Sequence, residues 1–326
     1  MIVPEYWAEA RIQRRFKDRQ VTVRRFGWSD ASQFAAEQHA RQRVAEAFER
    51  VVNGEKIPRL ERKVRYGGTD GLPIREEIVD RQGDCVITRN SYGARCLNSP
   101  DVFFADVDID DLNAVSNRSL GLIGLVVILT CLWIALANNM RLGVNLLMGL
   151  QIIWFLLQPA RNLWIRLRGG ETKMAIRRVH RFTRRHPQWH LRIYETPAGL
   201  RLLAMHQLFD PRSKEVEQAF LKLKVDPVYV VMCQKQNCFR ARLTAKPWRI
   251  NITERLRPRG SAWPVKQIYM PGRKVWIHEY ESSARNFAAC RFIEAAGMIG
   301  RIDPEAQRVC DYHDRECQVN SPLELA

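Results

Sequence analysis

The residues best placed for chemistry are Asp106 and Asp108, in the run Val102-Phe103-Phe104-Ala105-Asp106-Val107-Asp108. The apolar residues ahead of the acids predict a β-strand, and side chains two apart on a strand leave the same face. Two carboxylates so placed can share a hard divalent cation, Mg2+ or Mn2+, and a cation held there can polarise a phosphoryl group. The same residues also fit a strand running out into an acidic, solvated turn, because Asp110 and Asp111 continue the acidic run. No other cofactor is indicated, and no Ser/His/Asp set or glycine-rich phosphate loop emerges.

Cations form two groups. Lys173, Arg177, Arg181 and Arg184 recur at helical spacing and make one stripe, while Ala175, Val179 and Phe182 make a separate apolar stripe. A helix of this kind can lie on anionic lipid headgroups, where each cation gains on the order of 1 kcal/mol. The second group is Lys235, Arg240, Arg242, Lys246, Arg249, Arg255, Arg257 and Arg259, interleaved with Phe239, Trp248 and Trp263. Arg240 and Arg242 share a strand face. Cations beside aromatic rings suit single-stranded nucleic acid or a nucleotide, because bases stack on the rings while phosphates pair with the charges. They suit a solvated strand edge equally well. Arg201 joins these residues as a further candidate anion ligand.

The cysteines carry a weaker signal. Cys233 and Cys238, and the trio Cys310, His313 and Cys317, lack the spacing of familiar zinc motifs, so ordinary half-buried thiols are expected and no zinc site. Eight cysteines in 326 residues do not make a disulfide framework. The N-terminus does not read as a signal peptide, since Glu5 and Glu9 interrupt it.

The elements that must position these residues can be read from periodicity. A net charge of +17, with 46% hydrophobic and 27% charged residues, excludes a disordered chain and predicts anionic partners. Residues 5–28 predict two strands joined around Lys17-Asp18-Arg19, and a helix capped near Ser29 and Asp30 runs to Val52. Gln82-Gly83-Asp84 turns a further hairpin. From Leu120 to Ala137 the chain has no charge, and Leu142 to Leu157 is a second apolar run beyond the polar turn at Asn138-Asn139-Met140-Arg141. Eighteen helical residues span roughly 27 Å, close to a hydrocarbon core, so a transmembrane helical hairpin is expected. The arginines after Arg161 then place both termini in the cytoplasm, with the chain integral to the inner (cytoplasmic) membrane and the bilayer as a partner.

After this hairpin, Glu171 to Arg185 predicts a helix, Trp189–Glu195 and Leu200–His206 predict strands, Ser213–Lys224 a helix and Val228–Met232 a strand. This order matches the split βαβ of ferredoxin-like folds. The expected fold class is therefore α+β: a ferredoxin-like soluble core interrupted by a two-helix transmembrane hairpin, plus an N-terminal ββα module. The expected segments are an N-terminal module over 1–98, the first core strand and acidic turn over 99–118, and the hairpin over 119–158. A basic ferredoxin-like core over 159–260 and a mostly helical extension over 261–326 follow.

The strand Val102–Asp108, with Asp106 and Asp108 heading such a core, resembles the archaeo-eukaryotic primase superfamily. That resemblance implies that the two aspartates hold divalent metal ions for nucleotidyl transfer. The family's later Ser-x-Gly-x-His element has its analogue at Thr196-Pro197-Ala198-Gly199-Leu200-Arg201. Arg201 stands where the family has histidine, and only Asp226 and Glu279 offer a third carboxylate, so the resemblance implies a degenerate member.

Two functions follow. One is a membrane-anchored, non-catalytic protein whose basic domain binds lipid headgroups or nucleic acid. The other is a metal-dependent, primase-like nucleotidyltransferase using Asp106 and Asp108 as catalytic residues.

Overall fold

The computed structural model describes residues 1–16, 19–61, 73–109, 170–259 and 263–326. Strands β1 (Tyr6–Phe16) and β2 (Arg19–Ser29) form an antiparallel hairpin covered by helix α1 (Gln33–Val52). Alternating burial along the strands supplies Val21 and Val23 to a small core with Val44 and Ala47 of α1. The cap of α1 is Ser32, whose hydroxyl accepts from the Ala35 N–H, two residues past the Ser29–Asp30 pair favoured by sequence. At Gly27 a Cβ atom would sit 2.2 Å from the Ala40 backbone nitrogen, so the helix crosses the strand at a distance only glycine permits.

Two four-stranded sheets follow. One orders β3 (Glu77–Gln82), β4 (Cys85–Arg89), β5 (Arg95–Ser99) and β9 (Phe239–Arg242), antiparallel throughout. The other orders β11 (Arg291–Gly297), β7 (His190–Thr196), β8 (Gly199–Ala204) and β6 (Phe104–Asp108), also antiparallel. Helix α2 (Gly170–Arg185) packs Ala175, Val179 and Phe182 into the core, and α3 (Lys214–Leu223) adds Val216, Ala219, Phe220 and Leu223. The sheets share that core. Phe103 lies at its centre, with Trp189, Phe209, Phe220 and Phe239 ring centroids all 5.3–5.5 Å away. Such aromatic contacts favour tilted and edge-on geometries, as seen here.

Several expectations are corrected. The architecture is α+β with several sheets, and among the described residues the ferredoxin-like closure does not occur. The strand expected at Val228–Met232 is helix α4 (Pro227–Gln236). Asp226 caps it, accepting from the Val228 and Tyr229 N–H groups at 2.9 and 3.2 Å, and Pro227 occupies its first turn. An Asp-Pro start satisfies two otherwise orphaned donors and outweighs the β-branched residues that follow. Residues 261–326 supply helices α5 (Met270–Ala284) and α6 (Pro304–Cys317), but also the edge strand β11 and a short parallel pair, β10 (Phe287–Ala288) with β12 (Glu324–Leu325).

The transmembrane hairpin, and with it the expected membrane integration with cytoplasmic termini, is likewise not supported. Residues 119–158 lie outside the described residues. Among the described residues no helix is long and apolar enough to cross a membrane. The longest, α1, has 20 residues but carries Glu37, Arg41, Arg43, Glu46, Glu49 and Arg50 along its length, whereas a span needs about 20 mostly apolar residues.

Candidate functional site

The antiparallel register sets Asp106 of β6 opposite Arg201 of β8. The guanidinium grips the carboxylate with both forks, Nε donating to Oδ1 at 2.8 Å and Nη2 to Oδ2 at 3.2 Å. Arg201 is 1% exposed, and its Nη1 donates to the Arg242 carbonyl oxygen at 2.7 Å. Burial lowers the affinity of Arg201 for its proton, but the adjacent Asp106 carboxylate overrides this and raises it well above the ordinary value. Arg201 is therefore a buried structural cation. Its guanidinium occupies the two oxygens that a shared metal ion would need on Asp106. Asp108 follows on the same face of β6, and no third acid joins the two to form a convergent set among the described residues.

Other predicted cations separate by burial. Lys173, Arg177, Arg181 and Arg184 are exposed along α2, as their spacing requires. Arg240 is buried, its Nη2 donating to Glu76 Oε2 at 2.6 Å; that oxygen also accepts from Thr88 Oγ1 at 2.6 Å. Asn98 Nδ2 donates to Thr88 Oγ1 at 2.9 Å and completes the network. Arg242 and Arg249 are half-buried, and so is Lys246. Burial and the neighbouring Arg242 and Arg249 lower the Lys246 pKa, against the pull of Asp108 and Asp106. The basic cluster and the two acids of β6 thus share one neighbourhood.

Beside it opens a cleft of about 610 Å3. One wall is the β4–β5 turn. Asn90 Oδ1 accepts from the Tyr92 and Ala94 N–H groups, both at 3.1 Å, and Gly93 takes φ +102°. This fold of the turn presents Tyr92, and the bare Gly93 lets the Trp276 ring lie where a Cβ would be only 2.3 Å from it. The opposite wall comes from the segment after β9: Pro247, Trp248, Ile252, Thr253, Glu254, Arg255 and Arg259. Trp248 is 58% exposed, stands edge-on to Tyr92 at 5.2 Å, and carries Lys246 Nζ 5.6 Å from its ring centre. Arg255 and Arg259 are exposed. The alternation of basic and aromatic residues after Phe239 pointed to this wall. Tyr92 and Trp276, from distant parts of the chain, had no such signal.

A second cluster touches Arg201 from the other side. His313 and Cys317, four residues apart on α6, meet Cys290 from the β10–β11 junction, and all three are fully buried. Their potential ligand atoms lie within 4.8 Å of one another, with Cys290 Sγ 3.8 Å from His313 Nε2. His313 Nδ1 contacts Asp314 Oδ1 at 2.9 Å, and Arg201 Nη1 lies 3.4 Å from Nε2. Burial pushes the Cys290 thiol up, but hydrogen bonding to Cys317, and the nearby His313 and Arg201, outweigh it and hold it well below its usual range. Cys317 moves the opposite way, driven up by burial and by its bond to Cys290. Sequence reasoning linked His313 and Cys317 with Cys310 instead. The structure directs Cys310 towards Tyr194 and Asp314, 3.6 and 3.7 Å away.

No known protein family, curated protein or solved structure matches the chain. The assignment of function therefore rests on its own side chains.

Proposed function

We propose that the protein binds single-stranded nucleic acid in the cleft between the β4–β5 turn and residues 247–259. The observation that carries this reading is the exposed Trp248 indole, set beside Tyr92 and flanked by Lys246, Arg255 and Arg259. An exposed indole offers a base a stacking face worth about 1–3 kcal/mol, and the surrounding guanidinium and ammonium groups pair with phosphates. The net charge of +17 adds a long-range attraction that speeds encounter with a polyanion. The pairing of Asp106 with Arg201 favours this binding role over metal-dependent nucleotidyl transfer. A carboxylate already held by a buried guanidinium is a poor ligand for a catalytic cation.

Fluorescence titration of the protein with oligothymidylate and oligouridylate across a salt series tests the reading. Affinity should fall with a negative log–log slope in salt, and Trp248→Ala should weaken binding about tenfold, equivalent to about 1.4 kcal/mol. Absence of salt-dependent binding to either polymer would overturn it, as would unchanged affinity in Trp248→Ala. Binding to anionic liposomes but to neither oligonucleotide would assign the basic surface to lipid headgroups instead.

A further inference from the structure

We propose that Cys290, His313 and Cys317 form a buried site for one zinc-class divalent cation. The argument is geometric first. His313 and Cys317 stand one helical turn apart on α6 and so project from one face. Cys290 arrives from the short connection between β10 and β11, which is fastened to the end of α6 by the Ala289 N–H donating to the Cys317 carbonyl oxygen at 3.0 Å. That backbone bond fixes the approach of the two cysteines. A tetrahedral zinc with about 2.3 Å to sulfur and about 2.0 Å to nitrogen places those two ligand atoms about 3.5 Å apart. The observed separation of Cys290 Sγ and His313 Nε2 is 3.8 Å, and the whole set fits within 4.8 Å. The Cys290–His313 pair needs to close by only a few tenths of an ångström to receive a cation.

The surroundings fit a metal centre better than three chance neighbours in a core. Asp314 Oδ1 holds His313 Nδ1 at 2.9 Å, which directs Nε2 towards the cysteines; carboxylates in this outer position orient many zinc-bound imidazoles. Asp314 is itself anchored, its Oδ2 accepting from Arg192 Nη2 at 2.7 Å. The charges also balance. Two thiolates neutralise a divalent cation, and the nearby guanidinium groups of Arg201 and Arg192 are paired with Asp106 and Asp314. Binding displaces to solvent the two protons that Cys290, His313 and Cys317 share, with no change of oxidation state. Sulfur and imidazole donors select zinc-like ions and exclude Mg2+ and Ca2+, which require oxygen. Three protein ligands leave the fourth position to water or another small donor. The site is separate from the cleft, so neither proposal depends on the other.

The test uses the full chain purified under reducing conditions, with zinc and cobalt salts alone as probes. Elemental analysis should find about one zinc per chain after gel filtration. Cobalt substitution should give the sulfur-to-cobalt charge-transfer and visible bands of tetrahedral coordination. Both should disappear in Cys290→Ser and in His313→Ala, and both should persist in Cys310→Ser, whose sulfur faces Tyr194 and Asp314. Should the first two variants fail to fold, the wild-type protein still decides: chelation should release zinc and expose two additional reactive thiols. Wild-type protein holding neither metal, tetrahedral bands surviving in a folded Cys290→Ser variant, or a Cys290–Cys317 disulfide under these reducing conditions would each overturn the proposal.

Discussion

Arg201 and Asp106 face each other across β8 and β6, and the buried guanidinium binds both carboxylate oxygens, at 2.8 and 3.2 Å. The pairing converts what reads in sequence as one metal ligand and one surface cation into a single neutral unit of the sheet. It also links the two sites. Through Nη1, Arg201 reaches the Arg242 carbonyl below the basic cluster and lies beside His313 of the cysteine cluster.

Removing one partner of this pair should be costly. Asp106→Asn leaves the Arg201 charge buried with too little compensation, and a loss of about 3 kcal/mol is expected, read as a lowered urea midpoint. Arg184→Gln, at an exposed position of α2, should cost less than about 1 kcal/mol. Equal losses in the two variants would contradict the structural role assigned to Asp106.

The Arg240–Glu76 pair makes a similar prediction in a form that separates coupling from simple truncation. Either Arg240→Met or Glu76→Gln strands a charge in the network with Thr88, and each should lose about 2–4 kcal/mol. The double variant should lose clearly less than the sum. Additive losses in a double-mutant cycle would show that the two side chains do not depend on each other.

Gly93 is the third point of leverage. Its φ of +102° and the Trp276 ring behind it leave no room for a Cβ. Gly93→Ala should destabilise the protein by about 1–3 kcal/mol and, by moving Tyr92, weaken oligonucleotide binding as well. Binding that stays at the wild-type value in this variant would detach the β4–β5 turn from the cleft's function.

Acid should destabilise the fold through His206. Burial holds its imidazole down to about 4, and protonation of Nδ1 would break the hydrogen bond it accepts from the His190 N–H at 3.3 Å. Unfolded histidine titrates near about 6.5, so the unfolded chain binds more protons between those values. The contribution is complete above about pH 6.5 and is lost as pH falls towards 4. It should amount to about 2 kcal/mol, with His190, also lowered by burial, acting in the same direction. Thermal melts across that window should show a shallower decline for His206→Asn than for the wild type.

Local patterns were legible wherever the deciding interactions lie close in sequence. The β1–β2–α1 unit, the turn at Gly83, helix α3 and the split of α2 into buried Ala175, Val179 and Phe182 and exposed Lys173, Arg177, Arg181 and Arg184 all follow from spacing. Residues 228–232 misled because β-branched side chains suggested a strand while the Asp226-Pro227 start governs the segment. The fates of Arg201 and Cys290 were hidden for a different reason. Arg201 meets Asp106 across 95 positions of chain, and Cys290 meets His313 across 23, through a register and a helix docking that no local pattern encodes. The ferredoxin-like expectation failed at the same level. β11, with its irregular register between Phe292 and Glu294, carries too little alternation to announce itself as the edge of the sheet.

The position of β11 has a kinetic side. It zips onto β7, yet helices α3, α4 and α5 and strand β9 all intervene between the two in the chain. Until that late segment arrives, the outer backbone groups of β7 are an open template for any passing extended peptide. Intermolecular association during refolding should therefore be steepest with protein concentration before β11 docks. A short peptide copying residues 291–297 would compete for that seam.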